Sequence, residues 1–180
     1  EQAVRELLPA LPDVEAMTSD APVMDEFIMA QRGFDGSSVC NNVVYLRKEP
    51  PKAESRLDIR PLALPDAEIV SQNYHIHDLE QTRETILRGD MMGGYLGKTW
   101  VGFFGWHDEG SMGMLHVFEP YRRQGYAYEL EARQIALTLE RGLLLYGQVI
   151  VGNTASLALQ RKLGFTVEEK TVSWLYKMRA

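Results

Sequence analysis

The 180-residue sequence predicts an α/β fold in three layers, with a short extension at its N-terminus. Two observations carry this. From about residue 56 onward, apolar patterns of period two alternate with patterns of period 3.6, as strands interleaved with helices do. Two strand-like runs, Met91 to Leu96 and Thr99 to Trp106, meet at a Gly97-Lys98 turn, so the sheet opens as an antiparallel meander before the alternating half begins.

The elements follow in order. Pro22 suits a first helical turn, Met24, Phe27 and Ile28 fall at helical spacing, and Gly33 supplies a stop. Val39 to Arg47 reads as a strand because Val43, Val44, Tyr45 and Leu46 are β-formers. One helix and one strand cannot close a core, so this piece must lean on the body or on a second copy, which would make a homodimer. Lys48 to Ser55, with Pro50 and Pro51 adjacent among charges, continues neither a helix nor a central strand and reads as a linker. The expected organisation is an N-terminal extension over 1–50 and a main domain over 51–180.

In the main domain, Leu57 to Leu62 is a short strand stopped by Pro61. Pro65 and Asp66 open a helical stretch carrying Ile69, Val70 and Tyr74; Leu79, Thr82, Ile86 and Leu87 mark a second, and Gly89-Asp90 ends it. Met112 to Phe118 is a strand. Glu129 to Leu144 is the strongest helix, with Leu130, Ile135, Leu139 and Leu143 on one stripe. Leu145 to Val151 reads as a buried strand, Ala155 to Leu163 as a short helix, and Thr166 to Met178 as a final strand pair.

Composition narrows the function. A net charge of −6 argues against a nucleic-acid binder, which needs a basic face. No apolar run reaches the ~18–20 residues of a membrane-spanning helix, so no membrane partner is expected. No basic start followed by an apolar stretch marks a signal peptide, although the chain opens at Glu1. The single cysteine, Cys40, excludes internal disulfides and a Cys-rich zinc site, suits a cytoplasmic protein, and reads as a small buried hydrophobe. His75 and His77 flank Ile76 in a stretch that reads as helix, where residues two apart diverge, and no third ligand stands out, so no metal is expected.

The chemistry lies between Met114 and Phe165. A strand, Met114-Leu115-His116-Val117-Phe118, turns at Glu119-Pro120-Tyr121 into Arg122-Arg123-Gln124-Gly125-Tyr126-Ala127, which opens the long helix. Gly125 and Ala127 let backbone approach a ligand, the first-turn N–H groups lack intrahelical partners, and two arginines stand beside them: an anion site fit for a pyrophosphate. Alone, such a hexapeptide also fits an ordinary helix start. Further on, a strand ends at Asn153, a short helix follows through Ser156 and Gln160, and Leu163-Gly164-Phe165 closes it.

The two motifs in this order and spacing resemble the GNAT superfamily of acyl-CoA-dependent N-acyltransferases, over about Leu57 to Met178. The resemblance implies a GNAT-like three-layer fold with a mixed, splayed central sheet. It implies that Arg122, Arg123, Gln124, Gly125, Tyr126 and Ala127 bind the pyrophosphate of acetyl-CoA or another acyl-CoA. Backbone at Leu115 and Val117 would pair with the pantetheine arm, and Asn153 and Ser156 would face the co-substrate. Asn153 is equally a helix cap, and both can hold together. Glu109 to Gly113 and Tyr146 to Val149 look closest to the glycine N-acyltransferase-like branch, in which residues 1–50 would be a shortened half-domain.

Two departures stand out. Many members of the family place a Tyr after the Asn to protonate the leaving thiolate; the matching position here is Gln160, which is no acid at neutral pH. Tyr121, Tyr126 and Tyr146 are conceivable substitutes. Glycine acyltransferases use a Glu at the start of the strand before the phosphate loop; Ser111 aligns there, with Glu109 two residues earlier and on the same face if the strand begins that early. Glu109 is therefore the first candidate base, ahead of His116 and His107. Tyr74, Tyr95, Trp100 and Trp106 belong to an acceptor groove or to the core.

The leading expectation is an enzyme that moves an acyl group from acyl-CoA to the primary amine of a small molecule or amino acid by direct attack in a ternary complex. A catalytically idle acyl-CoA-binding module is the alternative that Gln160 motivates.

Overall fold

The structure, a computed structural model, describes residues 2–178. Along the chain run α1 (Gln2–Leu7), β1 (Ala16–Ser19), α2 (Asp25–Arg32), β2 (Gly36–Val44), β3 (Asp58–Pro61), α3 (Ala67–Asn73), α4 (Leu79–Leu87), β4 (Met91–Leu96), β5 (Thr99–Trp106), β6 (Met112–Val117), α5 (Tyr126–Glu140), β7 (Tyr146–Ile150), α6 (Thr154–Leu163) and β8 (Thr166–Tyr176). The mixed α/β class is as the sequence predicts.

Two compact units result, and neither is one stretch of sequence. The first combines the residues up to Val43 with Gln148–Leu157 and those from Val167 on; the second combines Val44–Gly147 with Ala158–Thr166. The N-terminal residues thus lean on the end of their own chain. Linker residues Lys48 to Ser55 lie within the second unit and carry no helix or strand.

The first unit holds a four-stranded sheet in the order β1-β8-β2-β7. β1 runs antiparallel to β8, with Ala16 opposite Tyr176 and Ser19 opposite Ser173. Leu8, Met24, Ile28, Phe34 and Leu175 form a buried cluster here. α2 begins with Asp25 and Glu26 at its positive end and closes with Arg32 before Gly33, as its sequence suggests. Neither α1 nor β1 is foreseen from sequence, and β8 is one continuous strand of 11 residues rather than a pair. No Gly, Pro, Asn or Asp interrupts Thr166 to Tyr176, so the strand runs on without a turn. Cys40 is buried in β2, and burial pushes its thiol pKa up.

The second unit is built on the sheet β3-β4-β5-β6, with each pair antiparallel. Leu62, Ala67, Val70, Ile86, Met91, Phe103 and Met114 make its buried cluster. α4 is set by a capping box: Asp78 Oδ1 accepts from the Gln81 N–H at 2.8 Å and Gln81 Oε1 from the Asp78 N–H at 3.1 Å. α5 starts three residues before the expected Glu129 and stops at Glu140. The Arg141, Gly142 and Leu143 N–H groups take its last carbonyls in a tightened turn, leaving Leu143 and Leu144 exposed, so the stripe overshoots the helix. Trp106 belongs to this core, its indole N–H donating to Thr138 Oγ1 at 2.8 Å.

The pairing of β5 with β6 slips once: Phe103 faces His116, yet Gly105 faces Gly113. One extra residue therefore sits in β6, a β-bulge, and Met114 takes φ 54 to accommodate it.

Leu130 on α5 is fully buried. Leu130→Ala is expected to destabilise the protein by about 2–5 kcal/mol, read as a lowered urea midpoint at unchanged slope.

Candidate functional site

The Arg122–Ala127 segment forms the rim of a pocket of about 220 Å3, lined also by Val117, Tyr121, Tyr128, Leu159 and Lys162. Gly125 precedes the helix with φ 87 and ψ −4, in the left-handed region, and a Cβ there would stand 3.1 Å from Arg56 Nη2. Arg123 takes φ 59, so two left-handed residues flank Gln124. This twist turns the chain so that the first-turn N–H groups of α5, which have no carbonyl to meet within the helix, end at the pocket. The first bond inside the helix runs from the Glu129 N–H to the Gly125 carbonyl at 3.2 Å. Arg122, Arg123 and Lys162 are exposed cations around it. Unpaired amides, the positive helix end and three cations suit a doubly charged phosphate group.

The rim is braced from behind. Arg56 donates to the Gln124 carbonyl at 3.2 Å and to Glu129 Oε2 at 3.1 Å, and its guanidinium lies 4.6 Å from the centre of the Tyr126 ring. Tyr126 is buried, so its side chain supports the loop while its N–H belongs to the first turn. Arg122 Nε donates to the Val117 carbonyl at 2.9 Å, and Gln124 Nε2 to the Pro120 carbonyl at 3.1 Å. Sequence reasoning missed Arg56, Leu159 and Lys162, which come from distant segments.

β6 is the last strand of its sheet. The Phe118 N–H donates to the Val101 carbonyl toward β5 at 3.0 Å, so strand alternation turns the peptide groups of Leu115 and Val117 outward. An extended amide chain could pair there.

The proposed bases differ in setting. Glu109 is exposed in the β5–β6 turn; β6 begins only at Met112, so the same-face placement with Ser111 does not occur. Hydrogen bonds within the turn, from Gly110 N–H to His107 O and from His107 N–H to Ser111 O, close it first. The Glu109 carboxylate accepts from Ser111 Oγ and its carbonyl from the Tyr146 hydroxyl at 2.6 Å. His116 stacks on Phe103 at 5.3 Å and meets Phe118 edge-on at 5.5 Å, with a buried, unpartnered Nε2. Burial, then Arg122 and His75, push its pKa down. His75 and His77 lie in the α3–α4 loop rather than on a helix. Among the described residues no group of three or more His, Cys, Asp or Glu could hold a metal ion, and no helix is long and apolar enough to cross a membrane.

Gln160 is buried and donates to Glu131 Oε1 on α5. The other oxygen of Glu131 has no partner, and burial raises its carboxyl pKa to about 7 against the weaker opposing pull of the Gln160 bond. In the first unit, Asn153 Oδ1 accepts from the Ser156 N–H at 3.1 Å, so Asn153 caps α6.

Residues 99–175 match the family model described as FR47-like protein. Three solved structures illustrate the likeness of fold. A Drosophila protein is 21% identical at a TM-score of 0.68, over 85% of this chain and 56% of that one. An acetyltransferase from the GNAT family of Colwellia psychrerythraea is 13% identical at 0.62, over 90% and 64%. A GCN5-related N-acetyltransferase from Sphaerobacter thermophilus is 16% identical at 0.58, over 99% and 65%. The chain therefore spans less than two thirds of the length of each. No curated protein sequence matches it. The fold is that of the GNAT acetyltransferases.

Two outcomes are expected of the site residues. Gly125→Ala forces a Cβ into the left-handed region and lowers stability by about 1–2 kcal/mol in denaturant titration. Glu131 titrates near 7 when folded and near the ordinary 4.5 when unfolded, so stability falls as pH rises between these values and levels off above. Glu131→Gln therefore flattens that decline, raising stability at pH 8 by up to roughly 3 kcal/mol while leaving pH 4 nearly unchanged, as measured by melts across that range.

Proposed function

We propose that this protein is an N-acyltransferase that moves an acetyl or other acyl group from acyl-CoA to the primary amine of a small molecule or amino acid. The observation that carries this reading is the twisted, cation-rimmed cradle at Arg122 to Tyr128 at the positive end of α5. Arg122, Arg123, Gln124, Gly125, Tyr126 and Ala127 would take the pyrophosphate through backbone N–H groups and charge. The outward peptide groups of Leu115 and Val117 would pair with the pantetheine amides, holding the thioester along β6. Asn153 and Ser156 would face the co-substrate. Glu109 and His116 would serve the proton of the acceptor amine, which arrives mostly as ammonium. The wording of the motifs around Ser111 and Gly147 favours the glycine N-acyltransferase-like branch, and the single buried cysteine suits a cytoplasmic setting.

Titration calorimetry with acetyl-CoA tests the reading. Binding of micromolar order that is lost in Gly125→Glu is expected, because a side chain forced into the left-handed region against Arg56 distorts the loop and adds negative charge beside the phosphate position. A folded wild-type protein that binds neither acetyl-CoA nor longer acyl-CoAs overturns it. Glu109→Gln is expected to lower turnover with unchanged acetyl-CoA affinity; binding without turnover of any amine would instead favour the idle acyl-CoA-binding module that Gln160 motivates.

A further inference from the structure

Away from the cradle, a group of titratable side chains gathers where the α3–α4 loop meets the β5–β6 turn. The Tyr74 ring is 5.9 Å from His77 and 6.3 Å from His107, and the two imidazoles are 5.5 Å apart. The Tyr74 hydroxyl oxygen lies 3.4 Å from His107 Nε2. The same oxygen accepts a hydrogen bond from the backbone of Met114, the residue whose left-handed conformation makes the bulge of β6. With that lone pair engaged, the phenolic proton is free to point at Nε2, which then accepts it as the unprotonated nitrogen of a neutral ring. Gly113 is required for this packing, because a Cβ on it would overlap the His107 ring.

The charges around the cluster point the same way. Burial pushes the His107 pKa down, against the opposing pull of Glu109 and Asp108. Burial and His107 push His77 down, with Arg88 adding to this and Asp108 and Glu109 opposing it. Burial, with Glu109, raises Tyr74 far above its ordinary value despite the Met114 bond. At neutral pH the cluster is an uncharged phenol between uncharged imidazoles, with the exposed carboxylates of Asp108 and Glu109 beside it. Asp108 is tied to Arg88; the Glu109 carboxylate accepts from Ser111 Oγ within the same turn.

We propose that Tyr74 and His107 form the proton-accepting pair of the acceptor site, with Glu109 steadying the imidazolium that results. This rests on the acyl-transfer reading above and moves its base from Glu109 and His116 to the Tyr74–His107 pair. The acceptor arrives as an ammonium ion, drawn by Asp108 and Glu109 and received against the faces of Tyr74 and His77. One N–H proton passes to the Tyr74 oxygen as the phenolic proton passes to His107 Nε2. The freed nitrogen lone pair attacks the thioester carbonyl beside the β6 bulge, forming the C–N bond. The C–S bond then breaks, its electron pair leaving on sulfur, and the second N–H proton neutralises the thiolate. The proton on His107 departs past Glu109 to solvent. Glu109 thereby acts through His107 rather than on the amine itself.

The test uses acetyl-CoA with glycine and with 1,3-diaminopropane as acceptors, followed by release of free thiol across pH 5 to 9. In the wild type, kcat/KM is expected to fall only as pH drops through an inflection below the ordinary histidine value, where the imidazole becomes charged. His107→Gln should remove that inflection and lower kcat by about 10²–10⁴-fold with acetyl-CoA affinity unchanged. Tyr74→Phe, which deletes a single oxygen, should lower kcat likewise. The wild type gives an independent check, since the His107 ring resonance must titrate at the same pH as the kinetic inflection. Coincident titration supports the assignment, and separated values overturn it. Transfer with an unchanged His107→Gln profile overturns this assignment alone. A wild type that binds acetyl-CoA but acylates neither amine overturns the acyl-transfer reading as well.

Discussion

Much of the second unit is organised by one buried carboxylate. Glu129, in the first turn of α5, accepts the Leu57 N–H at 2.6 Å and the Arg56 guanidinium at 3.1 Å. Through these two bonds it fixes where the chain enters β3 and presents Arg56 to the back of the cradle, where that side chain holds the Gln124 carbonyl. An acidic group so near an anion site would oppose ligand charge were it unpaired. Arg56 and the helix end neutralise it, so the exposed cations around the pocket keep their field for a ligand. Breaking such a pair leaves a buried charge without compensation, which is why the arrangement is firm although each bond is ordinary in strength.

The second constraint is strain. Met114 and Arg123 are non-glycine residues in the left-handed region, each disfavoured by about 1–2 kcal/mol, and they frame the two ends of the stretch that bears the chemistry. Met114 is held by burial among Phe103, Ile86 and Met91 and by its backbone bond to Tyr74. The extra residue it introduces changes which peptide groups of β6 meet β5. The same distortion sets both the outward direction of the strand beyond it and the position of the donor that Tyr74 receives.

What the sequence revealed depended on distance along the chain. The hairpin about Gly97-Lys98 and the helix start at Gly125 are local signals, and both stand where expected. β1 escaped notice because Ala16, Met17, Thr18 and Ser19 include a single strong β-former; its pairing with β8 is what makes it a strand. Arg56 and Lys162 join the cradle from segments far from Gly125, and no spacing rule connects them. The Tyr74, His77 and His107 cluster was invisible for the same reason. The sequence sets His77 beside His75 in a stretch that reads as helix, whereas Gly113 on β6 leaves the room that the His107 ring occupies. Asn153 carried two readings, and its cap on α6 is the one the geometry displays.

The order of strands in the first unit bears on how the chain is made. β8 lies between β1 and β2, yet it is synthesised long after both. Until it emerges, β1 has no neighbour and β2 presents a bare edge, so the early segments of the first unit wait as unsatisfied strands. Long-range pairing of this kind is slow, because the intervening chain must be ordered before the contact repays the loop it closes. Completion of this sheet is thus tied to β8, and a chain halted before Thr166 would expose strand edges to other chains, a substrate for chaperones or aggregation rather than for catalysis.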